Sequence, residues 1–566
     1  MPIPLRNSIL AGAAILLYFF SLTHAGLNAW FTVDDLTNIQ FLHGAGERPF
    51  SHLLAHCAVV ITPEYRPFGG VVYRILYTAF GLHALPYRLV CYALLLLNLF
   101  LASLLFYRLS HSRCTAAVGT LVFSVHTCMG ALYFNTGTLY DILCFTFGYA
   151  ALILYVSIRA TGALLSNRDW VAFFILFGLA LDSKEMAITL PLLLLLYECI
   201  YRARDRGWLT RLKPIAIAAG LTLLYSFVKT QVPNEMSITP AYIPRLSLTY
   251  AWAQLTHYYS LLLWNHQVSG FALPALLGAA LALRNRHMIF GFLLANIALL
   301  PLLMIPGRAG FVWYIPFAGW ALYAGSLLSQ LIHWLAQRMP AGNLRNAAPS
   351  LCFLSILAIL FVGQRDAARH MGDSLLPQEH YLESLHHAIT QNKLPLAAGS
   401  RVLIADDTLG PIDWSQLFLI RLMYHDADLW VDRPAQMGGA FDPKDLSIYS
   451  AVVHAASTPI RVLSRQPITR ESAIPVTVMP ASVDRNNEVA LKVVGFSGCS
   501  LDAEYRMPGD ELARSELWKN WCKVAADGTC TARIHQDAER GIVQIRRVRL
   551  CGGDWRRTNA SFEILP

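Results

Sequence analysis

Charge is what this chain is short of. Asp, Glu, Lys and Arg make up 14% of its 566 residues, against roughly 25% in soluble globular proteins. Hydrophobic residues reach 55% and mean hydropathy is +0.43, which excludes an ordinary water-soluble protein and points to an integral membrane chain. The sequence also lacks CxxC, HExxH and any Cys/His group at ligand spacing, so a structural metal centre is not expected. It has no internal repeat and no low-complexity tract. The formal net charge of +9 is not a nucleic-acid signal, because the excess of Lys and Arg over Asp and Glu lies within residues 1–363, largely in connections between apolar runs, as in cytoplasmic loops of membrane proteins.

Apolar runs long enough to span a bilayer, about 20 residues, recur up to residue 363. They lie near 8–25, 85–107, 114–134, 139–158, 170–183, 186–201, 214–231, 269–283, 288–306, 311–333 and 348–363. The N-terminal run has the look of a secretory signal, but reads better as an uncleaved first helix. Basic clusters at Arg108 and Arg113, at Arg159 and Arg168, in "RARDRGWLTRLK" (202–213) and "RNRH" (284–287), and at Arg338 and Arg345 orient the chain with these loops in the cytoplasm. The stretch "LTYAWAQLTHYYSLLLWN" (248–265) would break that orientation as a full span. It is expected to be interfacial or re-entrant.

The expected architecture is a polytopic α-helical membrane protein of about eleven spans with a C-terminal extracytoplasmic α/β plus β-rich domain. Composition places the membrane part at 1–363, an α/β segment at 364–475 and a β-rich module at 476–566. "RVLIADDTLGP", "WSQLFLIRLMYHD" and "DLWVD" (401–432) read as a βαβ unit, with Asp406 and Asp407 in the turn after its first strand. Of eleven cysteines, seven between Cys57 and Cys352 are scattered through the apolar part. Cys499, Cys522, Cys530 and Cys551 fall in the polar tail, where two disulfides with three alternative pairings are expected.

The conspicuous polar residues of the membrane part share one predicted face, the extracytoplasmic one: Asp34, Asp35, Arg66, Asp141, Lys184, Glu185, Arg245 and Arg308. Charged residues against spans usually line a functional cavity. This set suits transfer from a phosphate-linked donor. Arg and Lys offset phosphate charge, and a carboxylate takes the proton of an attacking hydroxyl.

Several motifs occur in a telling order: "TVDD" (32–35) after the first span, "YRPFGGVVYRILYTAFGLHALPYRLVCYALLLLNLFLASLLFY" (65–107), "VH" (125–126) followed by Asp141, "DSKEMAITLP" (182–191) and "WYIPFAGWAL" (313–322). Over roughly residues 1–365 the chain resembles the GT-C superfamily of integral-membrane glycosyltransferases. Within it, the likeness is to protein O-mannosyltransferases and to the transmembrane O-mannosyltransferases that carry TPR repeats. It departs from their pattern at Leu139, where an Arg is usual, at Arg308, six residues before Tyr314, and in lacking TPR repeats.

The resemblance implies an inverting transfer of one sugar from a polyprenyl-phosphate donor to an acceptor hydroxyl, of a protein, lipid or glycan, at the extracytoplasmic face. The tail, with its βαβ unit and expected disulfides, suggests that the membrane is a bacterial inner membrane and the tail periplasmic. Asp34 is implied as general base, with Asp35 assisting by positioning the acceptor or a metal ion. Lys184 and Glu185 would shape the donor phosphate site, with Arg66, His126, Asp141, Arg245 and Arg308 as further substrate-binding candidates. Some GT-C enzymes use a divalent cation and others do not, and these residues leave that open. A transporter of lipid-linked saccharides would carry polar groups through the bilayer depth, whereas the central spans here are nearly uncharged. An O-antigen-type polymerase or ligase would have its large external loop late in the chain, whereas here it comes first. A non-enzymatic GT-C relative is a further alternative.

Overall fold

A computed structural model of the chain describes residues 5–42, 49–58, 65–203, 212–231, 244–263, 266, 270–340, 343–406 and, with shorter breaks, 409–564. Most of the basic segment at 202–213, and residues 232–243, lie outside the described residues. The chain forms two compact units, Met1–His43 with Arg48–His380, and Tyr381–Pro566.

The first unit is helical. Its helices are α1 (Leu5–Thr23), the single turn α2 (Val33–Leu36), α3 (Phe50–Ala58), α4 (Pro67–Phe80), α5 (Ala84–Ser110), α6 (Arg113–Ser124), the short α7 (Ala131–Phe134), α8 (Leu139–Ala160), α9 (Asn167–Ser183) and α10 (Leu190–Tyr201). After them come α11 (Lys213–Gln231), α12 (Leu248–Leu262), α13 (Ala272–Ala282), α14 (Arg286–Leu299), α15 (Tyr314–Arg338) and α16 (Asn343–Gln391). Among the described residues, five stretches are long and apolar enough to cross a membrane: Ser8–Asn28, Ala84–Ser110, Thr136–Ala160, Gly310–Arg338 and Arg345–Gln391. These five cover the expected runs at 8–25, 85–107, 139–158, 311–333 and 348–363, and the other expected runs fall on helices that include α9, α10, α11, α13 and α14. Leu17, Phe100, Ile175, Leu223, Ile359 and Val362 turn outward, as side chains facing lipid do.

The 114–134 stretch is one apolar run in sequence but not one helix. It breaks after Ser124, and Gln364 of α16 closes the break. Its amide donates to the Val125 carbonyl (3.0 Å) and the Tyr18 hydroxyl (3.1 Å), and its oxygen accepts from the Thr127 N–H (2.9 Å). Freed backbone groups inside an apolar bundle need such partners. Small residues set the closest helix crossings. A Cβ on Gly319 of α15 would collide with the Gly291 carbonyl of α14, and one on Gly325 would lie 2.8 Å from the Gly119 backbone of α6, so the backbones meet directly. Asn98 of α5 joins three helices, donating to the Ile142 carbonyl (2.9 Å) and the Tyr314 hydroxyl (3.0 Å) and accepting from the Thr146 hydroxyl (2.8 Å).

Because successive helices run antiparallel, the ends of α1, α6, α9 and α14 and the starts of α5, α8, α10 and α15 gather at one end of the bundle. The opposite end holds Arg108, Arg113, Arg159, Arg168, Arg202 and Arg286, each at or beside a helix terminus.

In the second unit, parallel strands β1 (Arg401–Ile404), β2 (Trp430–Asp432) and β3 (Ala451–His454) are joined by an antiparallel β4 (Arg461–Ser464), in the order β2-β1-β3-β4. Helix α17 (Ser415–Tyr424) crosses over from β1 to β2, and is buried from Ser415 to Leu422. The tail from 469 on forms a seven-stranded and a three-stranded sheet over a core that includes Val489, Leu491, Leu501, Val543, Val548 and Phe562. Cys522 and Cys530 form a disulfide. Cys499 is also disulfide-bonded, and Cys551 lies outside the described residues. The seven cysteines from Cys57 to Cys352 are free. The compositional change at 364 falls inside α16, which runs unbroken to Gln391.

Candidate active site

The site starts from the turn at "TVDD". Thr32 and Asp35 form a reciprocal cap of α2. The Asp35 carboxylate accepts the Thr32 N–H at 2.8 Å, and the Thr32 hydroxyl accepts the Asp35 N–H at 3.4 Å. Such a box requires an acceptor three residues after the Thr, which selects Asp35 and turns Asp34 the other way. Asp35 is fully buried. It also accepts a hydrogen bond from the Thr136 hydroxyl and lies 3.5 Å from the Arg88 guanidinium. Burial pushes the Asp35 carboxyl above the usual carboxylate range, making it a weaker acid, against the pull of Arg88 and Thr136.

Asp34 is exposed. Its Oδ2 accepts from the Asn135 side-chain amide at 2.8 Å. That amide cannot flip without loss, because its oxygen is held by the Gly137 N–H at 2.6 Å. A Cβ on Gly137 would stand 2.7 Å from the Asp34 Cβ, so only glycine lets the two turns approach. The result is an exposed carboxylate with a fixed direction, resting on a buried one.

A chain of contacts links this pair to the other predicted residues. The Tyr73 hydroxyl donates to the Thr136 carbonyl (2.6 Å), Asn38 donates to the Tyr73 oxygen (3.4 Å), and the Tyr140 hydroxyl donates to the Asn38 side chain (3.0 Å). The Arg66 guanidinium lies over the Tyr140 and Tyr65 rings, 5.0 and 4.6 Å from their centroids. Arg66, in the left-handed region at φ 44°, also forks onto Glu185 with its closest contact at 2.7 Å. Loss of water would lift the Glu185 carboxyl, but the Arg66 charge overrides it and holds the group at about 2.

Next to it in sequence, Lys184 places its ammonium 2.6 Å from both oxygens of Asp141, and both side chains are buried. Burial pulls the Lys184 ammonium below its ordinary range, with Asp141 opposing. The "KE" turn is therefore fastened at two points, with Lys184 and Arg66 each matched by a predicted anion. Removing one partner from the buried pair would leave an uncompensated charge, worth roughly 3–5 kcal/mol.

Lys184 also sits 5.3 Å from the ring centroid of Phe311, which brings the "GRAG" turn to the same end of the bundle. Half-buried Arg308 lies there beside the Tyr258 hydroxyl of α12. The exposed Arg245 donates its backbone N–H to the Met304 carbonyl (2.6 Å), with its guanidinium 5.3 Å from the Tyr250 centroid. The structure brings Asp34, Asp35, Arg66, Asp141, Lys184 and Glu185 into one network. It sets Arg308 on the neighbouring "GRAG" turn and Arg245 against the backbone just before that turn. His126 is buried and acts as a cap, its Nδ1 accepting the Cys128 N–H at 3.3 Å and its ring edge-on to Phe317.

Two residues of this end escape sequence reasoning. Arg88, one turn into α5 and 2% exposed, donates to the Ala29 carbonyl (3.1 Å) and to the Trp30 carbonyl, anchoring the chain before Asp34. Its signal is a charge inside an apolar helix. Glu379 of α16, 1% exposed, faces Arg88 and Asp35. Nothing in its local sequence marks it.

Among the described residues no group of three or more His, Cys, Asp or Glu side chains gathers at metal-binding distance. With Asp35 held by Thr32, Thr136 and Arg88, a divalent cation here would have Asp34 as its carboxylate ligand.

No family profile and no curated protein sequence matches the chain. Solved structures do. The chain is similar to ArnT from Cupriavidus metallidurans bound to undecaprenyl phosphate, with a TM-score of 0.42 and 15% identity over 74% of this chain and 87% of that one. The apo state of the same protein gives 0.41 and 16%, over 73% and 84%. The arabinofuranosyltransferase AftD from Mycobacteria gives 0.43 and 13%, over 89% of this chain and 41% of that one.

Proposed function

We propose that the chain is a GT-C-type glycosyltransferase that moves one sugar from a polyprenyl-phosphate donor to an acceptor hydroxyl, with Asp34 as general base. The observation that carries this reading is the asymmetry of the aspartate pair. Asp35 is consumed by a cap, a hydroxyl and a guanidinium, while Asp34 is exposed and aimed by one amide.

In the transfer, the acceptor O–H gives its proton to Asp34 as its oxygen forms a bond to the anomeric carbon. The bond from that carbon to the phosphate oxygen breaks on the opposite face, and polyprenyl phosphate leaves with the electron pair. One displacement inverts the anomeric centre. Arg308 and Arg245, set beside the ion-paired network at the same end of the bundle, are the cations assigned to the leaving phosphate. Lys184–Asp141 and Arg66–Glu185 hold the shape of the site rather than neutralise the donor. The basic residues at the opposite end of the bundle support an extracytoplasmic site, in a bacterial inner membrane. The kinship with O-mannosyltransferases rests on the order of motifs from "TVDD" to "WYIPFAGWAL".

Membranes from expressing cells, supplied with radiolabelled polyprenyl-phosphate sugars, are expected to incorporate label in a chain-dependent way, and Asp34→Asn is expected to abolish this while expression is unchanged. Full incorporation by the Asn variant removes Asp34 as base. Movement of lipid-linked sugar across liposomes without a glycosidic product would replace the transferase reading with a transporter.

A further inference from the structure

The α/β sheet of the second unit has a feature that transfer chemistry does not use. From β1 the chain crosses through α17 to β2 on one side, then returns to place β3 on the other side. The sequential order of strands reverses between β1 and β3, and in open parallel sheets a crevice opens at that point, beyond the carboxyl ends of the strands. Two polar side chains stand there. Asp406 follows β1 by two residues and His454 ends β3, and Ala405 N–H bonded to the Val453 carbonyl (2.9 Å) holds the two strand ends side by side. Asp406 Oδ1 and His454 Nδ1 are 3.8 Å apart, with side chains 45% and 32% exposed. Arg461, exposed on β4, is in register with His454.

The rim of this crevice is built rather than loose. Arg433, directly after β2 and 1% exposed, donates to the carbonyls of Leu409 (2.7 Å), Gly410 (3.1 Å) and Asp413. One buried guanidinium therefore pins the turn after β1, which also carries half-buried Trp414.

The chemistry narrows the ligand. The turn "ADDTLGPIDWS" (405–415) has one glycine and no Lys or Arg, unlike the glycine-rich turns that cradle pyrophosphate. The start of α17, the usual anion seat in such sheets, is already filled by Asp413, whose carboxylate accepts the Ser415 N–H at 2.9 Å. A nucleotide or other phosphate ligand is thereby disfavoured. A carboxylate that accepts and an imidazole beside it, with Arg461 in register on the next strand, suit a neutral polyol, whose adjacent hydroxyls donate to Asp and donate to or accept from His. We propose that the strand-end crevice of Asp406 and His454 is a saccharide-binding site, separate from the Asp34 network and recognising sugar hydroxyls rather than phosphate.

The test uses the full chain purified in detergent. Saturation-transfer NMR is recorded with mannose, glucose, galactose, N-acetylglucosamine and their disaccharides. At least one of these saccharides is expected to bind, and Asp406→Asn and His454→Gln are each expected to weaken it tenfold or more with an unchanged melting temperature. Should either variant lose its fold, Asp406→Glu, which keeps the charge but displaces the carboxylate by one methylene, is expected to show the same loss. Absence of binding by every sugar, binding untouched by the variants, or a response of these residues only to Ca²⁺ or Mn²⁺ would each overturn the proposal. Because binding is read without any transfer, the result stands or falls independently of the transferase reading.

Discussion

The two ends of the helical unit both bury ion pairs, yet they are built to different purposes. At the basic end, Arg159 of α8 forks onto Glu198 of α10 at 2.7 and 3.0 Å, the Tyr155 hydroxyl donates to the same carboxylate at 2.9 Å, and Arg159 also reaches the Ala163 carbonyl at 2.8 Å. Both side chains are buried, at 1% and 3% exposure, and this pair leaves no charge of its own facing solvent. At the Asp34 end, three pairs (Asp35–Arg88, Asp141–Lys184 and Glu185–Arg66) are likewise closed on themselves. Above them sits an exposed carboxylate, Asp34, that is not. A self-satisfied pair fastens helices, whereas a reactive group has to be held by such pairs without becoming one.

That contrast predicts a split between activity and stability. Asp34→Asn is expected to lower transfer by roughly 10²–10⁴-fold, the usual worth of a positioned general base, and to leave thermal unfolding in detergent unchanged. A large loss of stability in this variant would make Asp34 structural. Glu198→Ala inverts the pattern. It strands a buried guanidinium and is expected to cost roughly 3–5 kcal/mol in denaturant or thermal unfolding. Membranes in which it folds should still transfer sugar.

Gly137→Ala probes the seam between the two kinds of group. Its new Cβ displaces the Asp34 turn, and since a 1 Å misplacement near reacting atoms costs about 10²-fold, transfer is expected to fall by about that much, with a smaller change in melting temperature. Unimpaired transfer would show that the direction of Asp34 does not matter.

The smallest effect is in the half-exposed Arg66–Glu185 clasp. With its carboxyl held at about 2 against an unfolded value of ~4.3, this group stabilises the fold fully above the unfolded value. That contribution is lost as pH falls from there towards 2. Arg66→Met is therefore expected to lower the melting temperature above pH 5, and the gap to the unmodified protein should narrow on acidification to pH 3. A gap independent of pH would mean that the clasp acts by packing alone.

Much of the site could be read from the chain. The one-sided placement of Asp34, Asp35, Arg66, Asp141, Lys184 and Glu185 follows from alternating apolar runs and basic connections, which are local signals. Even the choice between the two aspartates has a sequence trace, since Thr32-x-x-Asp35 is the spacing of a capping box. Other features left no such trace. The helix at 114–134 breaks after Ser124, where Gln364 of α16 takes up the freed backbone groups, and hydropathy sees only a continuous apolar run. Glu379 reads as an ordinary helix carboxylate until α16 is seen to press it against Arg88.

By itself, the sequence determined that this is a membrane chain, where its apolar helices lie, and which end of the bundle carries its acids. These depend on runs of neighbouring residues and on the cost of placing charge in hydrocarbon. Tertiary structure alone decided which charges cancel. Thr136 meets Asp35 across 101 residues, Glu185 meets Arg66 across 119, and Lys184 meets Asp141 across 43. The close helix crossings, at Gly291 with Gly319 and at Gly119 with Gly325, are likewise contacts between distant segments. Pairing in a low-dielectric interior is a contest over angstroms, and only packing could leave Asp34 as the carboxylate facing out.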